Sequence, residues 1–147
     1  MIQGFGNVGS YAAKFLHEYG CKIIAVSDVI GGLFDPDGLD IPLLFEHNYK
    51  NRTIDGFEQG NKITNEELLA LECDFLIPAA LGSAINESNV DKLNGKVVVQ
   101  PANGPVTGDA ARCLHKRSIP VIPAILTKAE GITVSYVEWV QILLRFK

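Results

Sequence analysis

Short apolar runs alternate along the chain with stretches whose apolar residues recur at helical spacing. Met1-Ile2 leads into a glycine-rich run, and Tyr11, Ala12, Phe15, Leu16 and Tyr19 then follow a helical period. Gly20 is placed to end that helix. Lys22–Ser27 is continuous, partly β-branched and apolar, the pattern of a strand covered on both faces. Gly31-Gly32 and Asp35-Pro36-Asp37-Gly38 predict a loop. A short helix is expected over Asp40–His47, and Tyr49–Lys62 shows no period and predicts irregular chain.

The second half repeats the alternation. Thr64-Asn65-Glu66-Glu67 has capping-box form, a hydroxyl followed three residues on by a carboxylate, ahead of Leu68–Leu71. Asp74–Ile77 predicts a strand stopped by Pro78. Asn86 or Ser88 is placed to cap a short helix through Leu93, and Asn94-Gly95 turns the chain. Lys96–Gln100 and Pro120–Ile122 predict strands around a helix from Thr107 to about Lys116. His115, Lys116 and Arg117 suit the negative end of that helix. A last helical pattern runs from about Ile132 to the end. Strands alternating with helices predict an α/β fold, a doubly wound parallel sheet with helices on both faces. Ligands of such sheets bind beyond the carboxyl ends of the strands, where the strand order reverses.

Composition narrows the class. A chain of 147 residues predicts one domain, 1–147, with a real core. Its 47% hydrophobic and 20% charged content is that of a globular chain, not a disordered one. Net charge is −4 and no Lys/Arg cluster stands out, so no nucleic-acid partner is expected. Cys21, Cys73 and Cys113 are far apart and odd in number. They predict reduced, packed thiols in a cytoplasmic protein, with no metal site. No apolar run has membrane-spanning length, and no membrane partner is expected.

The chemistry concentrates at the start. Gly4, Gly6 and Gly9 form G-x-G-x-x-G between a strand and a helix, which makes the fold Rossmann-like. Gly4 allows the tight turn, Gly6 lets a pyrophosphate approach the backbone, and Gly9 lets helix pack on strand. The amides of Asn7 and Val8 then face the phosphates with the helix dipole behind them. Asp28 lies 19 positions after Gly9, at the end of the second strand. A carboxylate there can accept from the adenosine ribose hydroxyls and repel a 2′-phosphate, which favours NAD and leaves NADP possible. Asp28 can also be a plain loop aspartate beside Gly31-Gly32. The first arginine after it is Arg52, distant in sequence. Flavin and S-adenosylmethionine sites use similar glycines.

Six segments together resemble the glutamate dehydrogenases of the Glu/Leu/Phe/Val dehydrogenase family. They are Gln3–Ser10 (QGFGNVGS), Ala25–Asp40, Cys73–Leu81 (CDFLIPAAL), Ala102–Thr107 (ANGPVT), Ile119–Leu126 and Gly131–Trp139 (GITVSYVEW). The resemblance covers almost the whole chain but only the nucleotide-binding half of such an enzyme. It implies an oxidoreductase that interconverts glutamate and 2-oxoglutarate plus ammonia by hydride exchange with nicotinamide. The family's catalytic lysine and aspartate lie in a P-K-G-G type segment of an N-terminal substrate domain. No segment here matches it, so no catalytic residue is assigned and inactivity alone is expected.

By resemblance, Gly4, Phe5, Gly6, Asn7, Val8 and Gly9 form the pyrophosphate turn. Ala79 and Ala80 line the nucleotide near its ribose, or are small because helices crowd there. Asn103 faces the nicotinamide, or serves only an Asn-Gly turn. Ile132 and Ser135 contact the substrate's aliphatic part and side-chain carboxylate, or Ser135 caps the last helix. Lys128-Ala129-Glu130-Gly131 stands where the family usually has N-A-G-G, and Ala124 where it has an acid. The last helix carries Tyr136, Val137, Trp139, Val140, Leu143, Leu144 and Phe146, more than one apolar stripe, and predicts self-association or poor order, or else burial within the domain. A second function class stays open: a non-catalytic nucleotide-binding or protein-interaction module derived from such an enzyme.

Overall fold

The computed structural model describes residues 1–80, 82–101 and 104–123. Among these residues seven strands form one sheet in the order β4-β3-β2-β1-β5-β6-β7. They are β1 (Ile2–Gln3), β2 (Ala25–Ser27), β3 (Gly32–Phe34), β4 (Asn61–Ile63), β5 (Cys73–Pro78), β6 (Gly95–Val99) and β7 (Val121–Ile122). Five of them, β2-β1-β5-β6-β7, pair in parallel. The helices are α1 (Asn7–Glu18), α2 (Ile41–Asn51), α3 (Asn65–Ala70) and α4 (Gly108–Lys116).

Alternation along the strands builds two cores. Ala25 and Leu76 join one cluster with Leu68 and Leu69 of α3 and Ala110 and Leu114 of α4. Their neighbours Val26 and Ile77 join the other, with Ala13 of α1 and Ile41 and Leu44 of α2. Helices therefore cover both faces, as a doubly wound sheet requires. From β1 the chain passes to β2 on one side and later to β5 on the other. The strand order reverses between β1 and β5, so their carboxyl ends open a crevice there.

The largest departures from expectation lie at one edge of the sheet. β3 and β4 are antiparallel additions where a loop and irregular chain are expected. Each has only three residues, too short to show alternation. The second strand keeps only Ala25–Ser27 of the expected Lys22–Ser27. The carbonyls of Ile23 and Ile24 accept instead from the amides of Leu39 and Asp35, both at 2.9 and 2.8 Å respectively. Helix α2 runs past His47 to Asn51. The short helix expected before Leu93 is a 3-10 turn, Val90–Lys92. Cys73 is buried and Cys113 half-buried, but Cys21, expected to be packed, is exposed just beyond α1. Asn103, Ile132, Ser135, Lys128, Glu130 and the last helical pattern lie outside the described residues.

Candidate dinucleotide site

The crevice between β1 and β5 is an open cleft of about 800 Å³. Its floor is the glycine turn. Gly4 has φ +93°, and a Cβ there would sit 2.8 Å from the Ala80 nitrogen and 2.9 Å from the Ala79 carbonyl carbon. The turn is thus tight both in conformation and against the end of β5. The Gly4 amide donates to Ser27 O at 2.9 Å, and the Ala79 amide to Gln3 O at 2.7 Å, which ties β1, β2 and β5 together below the cleft. A Cβ on Gly9 would strike the Gly4 carbonyl oxygen and approach Ile2 Cγ2 to 3.2 Å. Gly6 differs from both. Nothing lies within 4 Å of its Cβ position, so the space above it is open.

Gly6 is also the N-cap of α1, and no side chain caps that helix. The first turn holds no acid, and the first amide with a helical acceptor is Ser10, bonded to Gly6 O at 2.9 Å. The N–H groups of Asn7, Val8 and Gly9 are left to an outside acceptor at the positive end of a 12-residue helix. Phe5, 2% exposed, anchors the turn in the core, and Asn48 Nδ2 donates to its carbonyl at 3.2 Å. Gly4, Phe5, Gly6, Asp28, Ala79 and Ala80 all line the cleft; Asn7, Val8 and Gly9 begin the helix beside it.

Asp28 lies on the cleft wall with its carboxylate engaged inside the protein. Oδ1 accepts from the amides of Ile30 (2.8 Å) and Gly31 (3.2 Å). Oδ2 accepts from Thr53 Oγ1 (2.7 Å) and the Ile54 amide (3.0 Å). Burial pushes its pKa up, but these bonds, led by those from Ile54 and Thr53, hold it below the ordinary aspartate range. Asn65 Nδ2 donates to the Asp28 carbonyl at 3.0 Å. Asp28 thereby fastens the β2–β3 turn to the chain after α2.

Wall residues that the sequence does not assign to a site include Asn48, Arg52, Thr53 and Asn65. They come from the end of α2, the segment after it and the start of α3. No motif marks them, and only the fold brings them beside Asp28. Gln3 also lines the cleft, and its buried Oε1 has no hydrogen-bond partner. Among the described residues no group of three or more His, Cys, Asp or Glu could hold a metal, and no helix is long and apolar enough to cross a membrane.

Residues 1–147 match the profile of the Glutamate/Leucine/Phenylalanine/Valine dehydrogenases. The chain belongs to that family. It is 50% identical over 139 residues to the NADP-specific glutamate dehydrogenase of Saccharolobus shibatae, covering 95% of this chain and 33% of that protein. Against the cryptic catabolic NAD-specific glutamate dehydrogenase of Bacillus subtilis the identity is 47% over 141 residues, covering 96% and 33%. Among solved structures, the hetero-hexameric glutamate dehydrogenase of Thermus thermophilus, in its leucine-bound form, matches with a TM-score of 0.87 at 28% identity. That match covers 98% of this chain and 34% of the other. This glutamate dehydrogenase family chain therefore spans about a third of the length of the relatives it matches. The relatives divide between NAD and NADP, so family membership leaves the dinucleotide's 2′-position undecided.

Proposed function

We propose that this chain is the nicotinamide-dinucleotide-binding part of a glutamate-dehydrogenase-type oxidoreductase. One observation carries the reading: the uncapped amides of Asn7, Val8 and Gly9 beside the open space over Gly6. A diphosphate fits both features, because it supplies the missing acceptors and needs the volume a side chain would fill. Gly4, Phe5, Gly6, Asn7, Val8 and Gly9 form the pyrophosphate cradle, and Ala79 and Ala80 border the ribose. Val29 and Ile30, 97% and 67% exposed at the rim, offer the adenine an apolar face. Asp28 sets negative charge near the adenosine ribose.

The bound dinucleotide would supply the hydride chemistry. The chain's own share is to bind, orient and tune charge. With a substrate domain, the enzyme would interconvert glutamate and 2-oxoglutarate plus ammonia. Asn103 would face the nicotinamide, and Ile132 and Ser135 the substrate. Titration with NADH, followed by amide chemical shifts, tests the reading. The amides of Asn7, Val8 and Gly9 are expected to move at saturation. A properly folded chain whose first-helix amides stay still under saturating NADH would end it.

A further inference from the structure

We propose that Arg52 is a 2′-phosphate contact, so that this cleft accepts NADPH as well as NADH. The inference rests on the dinucleotide reading above and concerns which dinucleotide is held.

An ionised carboxylate offers about four acceptor positions. In Asp28 four protein donors fill them: Ile30 N, Gly31 N, Thr53 Oγ1 and Ile54 N. Neither oxygen is left to grip the paired ribose hydroxyls, the contact that would reward an unphosphorylated ribose. What remains of Asp28 is its charge, and the same wall carries an opposite one. Arg52 precedes Thr53, whose hydroxyl is 2.7 Å from Asp28 Oδ2, so the lock on Asp28 also fixes residue 52 on the wall. Among the described residues lining the cleft, Asp28 is the single acid and Arg52 the single base.

Arg52 is also costly where it stands. It caps α2 at φ 61°, ψ 22°, the left-handed conformation that glycine adopts freely and a long side chain does not. Strain of this kind gathers at binding sites. Among the described residues Arg52 makes no ion pair, and its guanidinium lies 5.6 Å from the Tyr49 ring centroid, an exposed contact that holds it weakly. A planar guanidinium free to leave that ring matches a phosphate through paired N–H donors.

The test is calorimetric titration of the chain, Arg52→Gln and Arg52→Gly with NADPH and with NADH. Arg52→Gly accepts the left-handed backbone without strain, so its fold is expected to persist. Both variants are expected to bind NADPH about tenfold more weakly, the usual weight of one charge-assisted contact. NADH affinity should hold within about twofold, since no 2′-phosphate is present to lose a partner. Unchanged NADPH affinity in both variants overturns the proposal. So does an equal loss for both dinucleotides, which would make Arg52 a general binding or folding residue. An unaltered chain that binds NADH but not NADPH refutes the inference and leaves the dinucleotide reading standing. A chain that binds neither removes the dinucleotide reading itself, and the inference with it.

Discussion

Helices α1 and α3 each follow a short strand, yet their first turns are finished in opposite ways. At α3, Thr64 Oγ1 accepts from the Glu67 amide at 3.1 Å and Glu67 Oε2 accepts from the Thr64 amide at 2.7 Å. The box satisfies the Thr64 and Glu67 amides from within the turn itself. Helices α2 and α4 follow suit, with Asp40 and Thr107 accepting from Leu43 and Ala110 amides. At α1 a glycine occupies the cap position and no side chain answers the free amides. On the proposed dinucleotide reading, the difference separates a helix start finished by the protein from one left for a ligand. A self-capped turn steadies the fold; an uncapped one over open space stores affinity.

The largest expected effect comes from destroying the turn itself. Gly9→Val places a side chain against the Gly4 carbonyl and Ile2. We expect a loss of about 3 kcal/mol in urea unfolding, at the upper end of overpacking in a filled core. NADH binding should disappear with it. A variant as stable as the parent would mean that helix and strand are not in contact at this glycine.

Gly6→Ala separates fold from ligand. The added methyl meets open space, and the backbone at φ −78° suits any residue, so stability should fall by only about 0.5 kcal/mol from the poorer cap. The methyl occupies the volume assigned to the diphosphate. A clash of about 2–3 kcal/mol corresponds to about a hundredfold weaker NADH binding. Undiminished NADH affinity in a titration of this variant would place the diphosphate elsewhere.

Thr64→Ala makes the opposite separation at α3. Removing the hydroxyl acceptor should lower stability by about 1 kcal/mol, the common weight of an N-cap, while NADH affinity stays unchanged. Chemical denaturation and the same titration read both. A change in affinity would couple the two helix starts, which the comparison keeps apart.

These contrasts also explain what the sequence makes legible. The glycine run is readable because each position has a separate steric cause, and the structure supplies each cause: Gly4 against Ala79 and Ala80, Gly9 against Gly4, Gly6 against nothing. The Thr64–Glu67 box is readable because both partners lie within one helical turn. The parallel centre shows as continuous apolar runs, since both of its faces are covered. Other features depend on residues far apart in the chain. β3 and β4 have three residues each and pair across Asn61–Ile63, an edge strand too polar and short to show a period. The bonds that Thr53 and Ile54 make to Asp28 are not legible, because these partners lie 25 and 26 residues away. Arg52 reads as remote from Asp28 for the same reason. Local chemistry is written in spacing, whereas a cleft wall is assembled by crossover connections that spacing does not encode.

Asp28 supplies the smallest expected effect and a third way of using a polar group beside the same cleft. Like the box at α3, its carboxylate is satisfied by the protein; like the turn at α1, it lies on the binding wall. Burial raises its pKa, but the bonds from Ile54, Thr53, Ile30 and Gly31 outweigh that and set it below the ordinary value of 3.8. A depressed carboxylate stabilises the fold above its unfolded value, and that contribution is lost as pH falls from about 3.8 through the lower folded value. Thr53→Val removes one of the four donors. At neutral pH the variant should be less stable by about 0.5 kcal/mol, at the low end for a hydrogen bond because the group is only partly buried. The same substitution frees the Asp55 amide, 3.1 Å from Thr53 Oγ1, but that amide is exposed and water replaces its partner. Only the bond to Asp28 depends on charge, so the gap between variant and parent should narrow as pH drops below about 3.8 and Asp28 takes up its proton. Unfolding curves at a series of pH values read this directly. A gap that stays constant from neutral to strongly acid pH would show that the Thr53 hydroxyl does not serve the ionised carboxylate.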